Sequence, residues 1–317
     1  MKSSLLAAPL VLLAHALPSI HPEPALSDSE VRRSFDRRSS QELVEFTVAM
    51  GGMEVPPEYL PEMELAWTRA AHLVVLDRRS EGALVRSFEE LGLDATQDFQ
   101  MAPSTDEQDE GHATSPFEGR TVRFDSEGGV AWVGDGGDED LLAGLERSLA
   151  LSALVPGGLA AHHTGDSWEV DAEDLHALFY PGGNLAWEWS ATEGLRAPDN
   201  DPVFPTGALT ITLASVDGGQ ASLRLEGTLE ARTESATDLS EVPVVDGTAT
   251  EVRTTTFELE GRAIFDAERN EIAELRLDAE LATAIETTKD EGQPGPAYSS
   301  HMGFEGTWRL TVRAEHP

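Results

Sequence analysis

TTTFELEGRAIFDAERNEIAELRLDAELATAIETT, residues 254–288, reads as two long strands joined by a polar turn. Phe257, Leu259, Ala263 and Phe265 occupy alternate positions, as do Leu275, Leu277, Ala279 and Leu281. Between them stand Glu258, Glu260 and Arg262, then Glu274, Arg276, Asp278 and Glu280. A period of two places one set on each side of a pleated sheet, so one face is apolar and the other charged. The question this raises is what covers the apolar face.

The same alternation runs outward in both directions. Leu209, Ile211 and Leu213 lead to a turn at Asp217-Gly218-Gly219, and Ala221, Leu223, Leu225 and Leu229 follow. Beyond the opening hairpin come Met302, Phe304, Trp308, Leu310 and Val312. Five strands joined in sequence imply an antiparallel meander with one solvated face. Residues 250–266 alone would extend about 55 Å if flat, so twist and curl are expected. Gly227 and Gly261 interrupt the apolar set and are the expected places for bends or bulges.

Upstream the pattern is more mixed. Val44, Phe46, Val48 and Met50 alternate with polar or small residues, and MELAWTRAAHLVVL (63–76) also tilts toward strand. ALVRSFEEL (83–91) fits a strand or a short helix, and PSTDEQDEGHATS (103–115) reads as an acidic loop. FEGRTVRFDSEGGVAWV predicts a hairpin in which Val122 and Phe124 face Val130 and Trp132. A helix is predicted over 138–154, capped by Asp138, with Leu142, Leu145 and Leu149 on one face. A second short helix is predicted over 171–180, and 194–206, with three prolines, reads as a linker.

The expected fold is therefore α+β and mainly antiparallel β. It is a long curved meander whose apolar face is covered by a helix and by strands of the first half. The expected divisions are a signal peptide at 1–16, a β-rich lobe over 17–155 ending in the 138–154 helix, a connector over 156–205, and a C-terminal β lobe over 206–317. Leaving the apolar face wet would forgo tens of kcal/mol at about 1.5–3 kcal/mol per large side chain. Either the chain fills that face itself, or it keeps a groove for an apolar ligand.

The chain carries 58 Asp and Glu against 22 Lys and Arg, a formal net charge of −36. Phosphate recognition needs the opposite balance, which excludes nucleic acid as a partner and disfavours anionic membrane surfaces. There is no cysteine, so disulfides, Cys-ligated metal and thiol nucleophiles are excluded. MKSSLLAAPLVLLAHAL has a lysine, a 13-residue mostly apolar run from Leu5 to Leu17, and a small-x-small site at Ala14-His15-Ala16. That is the layout of a secretory signal peptide cleaved near Ala16. It predicts an exported, periplasmic or extracellular protein with no integral membrane segment in the mature chain.

LVPGGLAAHHTGDSWEVDAEDLHALFYPGG (154–183), with the leucine-rich stretch before it, resembles a segment of exported bacterial proteins of unknown function. The residues that carry the resemblance are Gly165, Asp166, Ser167, Trp168 and the Pro181-Gly182-Gly183 stop. The resemblance brings no catalytic residues. Long one-faced strands with helices on the concave side are also similar, in architecture only, to periplasmic half-barrel lipoprotein carriers.

Gly165–Trp168 is expected to form a tight turn entering a strand, with Asp166 or Ser167 bonding the local backbone and Trp168 anchored in the core. His162 and His163 are adjacent, and neighbouring strand residues point to opposite faces, so they make a poor metal pair. The acidic stretches Asp135–Asp140 and Asp199–Asp201 lack EF-hand spacing. Trp187 and Trp189 flank Glu188, and their two-residue spacing could form a stacking platform for a sugar or simply a piece of aromatic core. No P-loop, Rossmann fingerprint, nucleophile elbow or H-E-x-x-H is present. The expectation is a non-catalytic binding or interaction module of the cell envelope without a cofactor. Its partner would be an apolar ligand or another envelope protein. A structural protein with a self-filled core and a glycan-active hydrolase are the alternatives.

Overall fold

The computed structural model describes residues 29–80, 82–101, 105–134, 137–149, 151–191, 206–239, 247–289, 292–293 and 295–316. The signal-peptide residues and almost all of the 194–206 linker lie outside these. The first half contains β1 (Ser29–Met50), β2 (Met53–Glu54), β3 (Met63–Ser80), β4 (Ala83–Met101), β5 (Thr105–Thr114), β6 (Thr121–Phe124) and β7 (Val130–Trp132). After an irregular stretch come β8 (Ser167–Asp171), α1 (His176–Phe179) and β9 (Glu188–Ala191). The C-terminal run is β10 (Thr206–Asp217), β11 (Gln220–Asp238), β12 (Thr248–Asp266), β13 (Glu271–Lys289) and β14 (Tyr298–Glu315).

All these strands join one 14-stranded antiparallel sheet that does not close. Its path is β7-β6-β4-β3-β1-β14-β13-β12-β11-β10-β8, with β5 and β9 branching from β4 and β2 from β1. Two meanders thus share a central seam, where β1 pairs with β14 from Arg32↔Glu315 to Met50↔Tyr298. The opening hairpin pairs as the alternation demands, with Phe257 opposite Leu281 and Ala263 opposite Leu275. Phe124 faces Val130 and Val122 faces Trp132 in the β6–β7 hairpin.

The α+β expectation is overturned: 68% of the described residues are strand and 10% helix. The helix predicted over 138–154 is instead two 3₁₀ turns, Glu139–Gly144 and Leu151–Leu154. Asp138 does cap the first, accepting from the Asp140 N–H at 3.0 Å. The rest departs from a helix because Leu142, Leu145, Leu149, Leu151, Leu154 and Val155 are all buried. An α-helix could bury only part of that set on one stripe, whereas an irregular strap laid on the sheet turns each of them inward and leaves Ala143, Ser148 and Ser152 exposed. Leu145 instead bridges to Gly183, and the Glu146 N–H donates to the Gly182 carbonyl.

The 171–180 segment is a 3₁₀ turn, Ala172–Leu175, followed by the single α turn of α1. The acidic loop expected over 103–115 is largely strand β5, paired with β4 from Leu93↔Ala113 to Met101↔Thr105. There, hairpin pairing with β4 overrides an unfavourable local composition.

The irregular stretch from 139 to 187 lies on the apolar face. One cluster joins its leucines, Val155, Leu175, Leu178 and Phe179 to sheet residues such as Phe35, Leu225, Leu277 and Trp308. The chain itself is the cover.

Candidate functional site

Between its short elements, the 139–187 strap has carbonyls that need donors. The sheet and its neighbours supply them. Arg37 donates to the Phe179 carbonyl, and Arg86 to those of Glu146 (3.0 Å) and Arg147 (3.1 Å). The Ser115 hydroxyl donates to Leu185 (2.6 Å) and the Trp168 indole to Leu154 (3.0 Å).

Behind Arg86 stands a buried charge network that pattern reading missed. Asp77 and Arg86 are each 1% exposed. Arg86 grips both Asp77 oxygens, at 2.7 and 3.0 Å. Arg33 bridges from Asp77 at 3.1 Å to Glu271 at 2.7 Å. Burial pushes the Asp77 carboxyl up, but Arg86, then Arg33, outweigh it and leave the group below its ordinary value. The signal was present in the sequence as charges at inward strand positions: Arg33 between Val31 and Phe35, and Arg86 between Leu84 and Phe88.

Gly165–Trp168 forms a turn into β8. Gly165, at φ 94°, donates its N–H to Leu213, and Leu213 donates back to Asp166. The Asp166 carboxylate accepts from the His163 N–H at 2.7 Å, and Ser167 pairs with Thr212 at 2.8 Å. His162 stacks on Trp168 at 3.9 Å and donates from Nε2 to the Pro156 carbonyl. The His163 ring lies 3.5 Å from Asp166. Among the described residues, no group of three or more His, Asp or Glu stands close enough to hold a metal ion.

Trp187 packs against the main core cluster. Trp189 lies over Gly111 of β5 so closely that a Cβ there would strike its ring. Glu188 is exposed between them, opposite Thr114.

The outward face of the sheet holds a shallow hollow of about 1010 Å³, spanning β3 to β11. Charged groups such as Arg38, Glu260, Asp278 and Arg309 rise around short ones such as Thr228 and Ser40. Strand register sorts these charges into rows. Arg224, Arg262 and Arg276 stand directly opposite one another on β11, β12 and β13, and the row continues to Thr311 and Asp36. Two residues along each strand, Glu226, Glu260 and Asp278 form the next row, which continues to Arg309 and Arg38. Arg276, bonded at 2.8 Å, holds the Asp278 carboxyl below its ordinary value against a smaller upward push from burial, with Arg309 helping. Placing such a face against hydrocarbon would cost about 2–4 kcal/mol per basic residue at mid-depth. Among the described residues, no helix is long and apolar enough to cross a membrane.

No family model and no curated protein matches the chain. Among solved structures, it is similar to the secretin-domain β-barrel of InvG from the Salmonella SPI-1 injectisome, at 10% identity and a TM-score of 0.15. That match covers 92% of this chain and 64% of the InvG chain, so this chain spans less than two thirds of its length. It is also similar to the toluene transporter TodX of P. putida, at 10% identity and a TM-score of 0.15, covering 92% and 91% of the two chains. For OccK7 of Pseudomonas aeruginosa the values are 11% identity and 0.10, over 91% and 98%. Scores this low carry no argument about fold or function.

Proposed function

We propose that this chain is an exported, non-catalytic interaction module of the cell envelope that works through the outward polar face of its sheet rather than by carrying an apolar cargo. The observation that supports this most directly is the filled apolar face. The 139–187 strap packs its leucines, Phe179 and Val155 into the same cluster as the sheet's core residues. Arg37, Arg86, Ser115 and Trp168 fasten its carbonyls. An apolar ligand would have to expel that strap and forgo those bonds. The outward face offers a broad hollow with both signs of charge, suited to a polar partner. The export element of the reading rests on the N-terminal run and its Ala14-His15-Ala16 site.

Hydrogen exchange tests the central point. Strap amides, such as Leu145 to Glu146, exchange in the same slow class as the β13 and β14 amides, and a fluorescent fatty acid leaves them unchanged. Fast exchange of the strap, with saturable fatty-acid binding that deprotects it further, would replace this reading with that of an apolar carrier. For export, the mass of the protein recovered from its host shows a chain beginning at Leu17. Recovery of the uncut chain would sink that element.

A further inference from the structure

The two charge rows on the outward face are opposite in sign at four of their five columns; in the fifth, on β14, Arg309 stands beside Thr311. Arg224 stands beside Glu226, Arg262 beside Glu260 and Arg276 beside Asp278, while further along the order inverts to Asp36 beside Arg38. Within a row, like charges stand directly opposite one another across neighbouring strands, an arrangement that destabilises an isolated sheet. Three of the columns are relieved internally. Arg224 reaches Glu226 at 3.1 Å, Arg276 reaches Asp278 at 2.8 Å, and Asp36 accepts from His72 at 2.8 Å. Arg262, Glu260 and Arg38 are exposed and form no ion pair among the described residues. The patch is close to neutral in a chain of net charge −36, so its own charges add little to the repulsion between two copies.

We infer that this face pairs with the same face of a second copy of the chain, about a two-fold axis that runs across the strands midway between the two rows. This rests on the outward face being the working surface, and it names the partner. Such an axis keeps each strand over its counterpart and exchanges the rows. Arg262 then meets the second copy's Glu260, Glu260 meets its Arg262, and Arg38 meets its Asp36. A closed two-fold contact requires a self-complementary patch, and rows of inverted sign provide one. The hollow gives the long guanidinium and carboxylate side chains of both copies room to interleave, with water at the rim.

Five strands about 4.8 Å apart, with two rows about 7 Å apart along them, give a patch roughly 20 Å by 15 Å, or about 300 Å² per copy. That lies below a standard interface, so the dimer is weak and concentration-dependent. At about 0.15 M salt, where charges beyond roughly 8 Å are screened, the distant acids of the two copies no longer oppose it while contact pairs persist.

Sedimentation equilibrium on the full chain from micromolar to several hundred micromolar tests the pairing. The wild type shows a reversible monomer–dimer equilibrium. R262E and E260R, both at exposed outward positions, each place like charges against like at two symmetric points and weaken association by roughly tenfold or more. An equimolar mixture of the two variants recovers association, because both β12 contacts are then complementary across the heterodimer. Effects within one chain cannot produce that recovery. A wild type that stays monomeric throughout the range, single variants that associate like the wild type, or a mixture no more associated than its components would each overturn the pairing. Strap protection would be untouched by those results, so the functional reading and its partner fail separately.

Discussion

Asp77 shows how one side chain ties the sheet to its cover. Its carboxylate holds Arg86 and Arg33, and Arg86 in turn holds two strap carbonyls. Removing the charge leaves two buried guanidiniums with only Glu271 between them, so Asp77→Asn is expected to destabilise the fold by about 3–5 kcal/mol in urea unfolding. The pH dependence follows from the depressed value of the group in the fold. Its contribution is present above the unfolded value of about 3.9 and is lost as pH falls through the folded one. The stability gap between wild type and Asp77→Asn is therefore constant above about pH 5 and closes below about pH 4. A gap that persists at low pH would show that the network does not act through the Asp77 charge.

Strand-scale features divide cleanly between what local pattern reveals and what only pairing reveals. The alternation of Phe257, Leu277 and Trp308 was legible because one solvated face forces a period of two, and all three join the covered core. The 138–154 leucines were misread because an irregular strap that turns each leucine inward leaves a leucine pattern that a helical stripe also fits. Acidic β5 was missed because its composition reads as a loop, while its strand state depends on hairpin pairing with β4 from Met101↔Thr105 out to Leu93↔Ala113. The charge rows were invisible for a related reason: alternation shows that Arg262 faces out, while only register shows Arg224 and Arg276 beside it.

Glycine follows the same division. Gly227 and Gly261 were expected to mark bends or bulges, but the register shifts fall at Leu43/Glu45, Val74/Val75, Leu213/Ser215 and Ile264/Phe265. What these glycines permit is close approach. A Cβ at Gly261 would strike the Arg276 carbonyl oxygen, and one at Gly306 the Ser40 carbonyl oxygen. Gly306→Ala must therefore shift the β1–β14 seam and is expected to cost about 1–3 kcal/mol. Gly92→Ala, with open space around its Cβ, is the control and is expected to stay within about 1 kcal/mol. Equal losses at the two sites, measured by thermal melts, would mean that close approach is not what Gly306 provides.

At the scale of the whole molecule, the seam that unites the two meanders joins the most distant parts of the sequence. Phe35 pairs with Val312, and His316 lies within 3.3 Å of the Glu30 carbonyl. Closing a loop of about 280 residues rather than about 8 costs roughly 3 kcal/mol more in chain entropy, and sheets built from such distant contacts fold slowly. Joining residue 316 to residue 29 through a short Gly/Ser linker converts the seam into a hairpin. The new ends belong in the β10–β11 turn, where Gly218 has nothing within 4 Å of its Cβ position. If the seam forms at the folding barrier, the permuted chain refolds faster by about tenfold or more, with the loop-closure entropy setting a ceiling near a hundredfold. Its unfolding rate changes little. Refolding from urea followed by tryptophan fluorescence reads both rates. A permuted chain that refolds no faster, at matched stability, would place the joining of the two meanders after the barrier. Each meander would then be the unit that folds first, with the strap and the Asp77 network closing over them last.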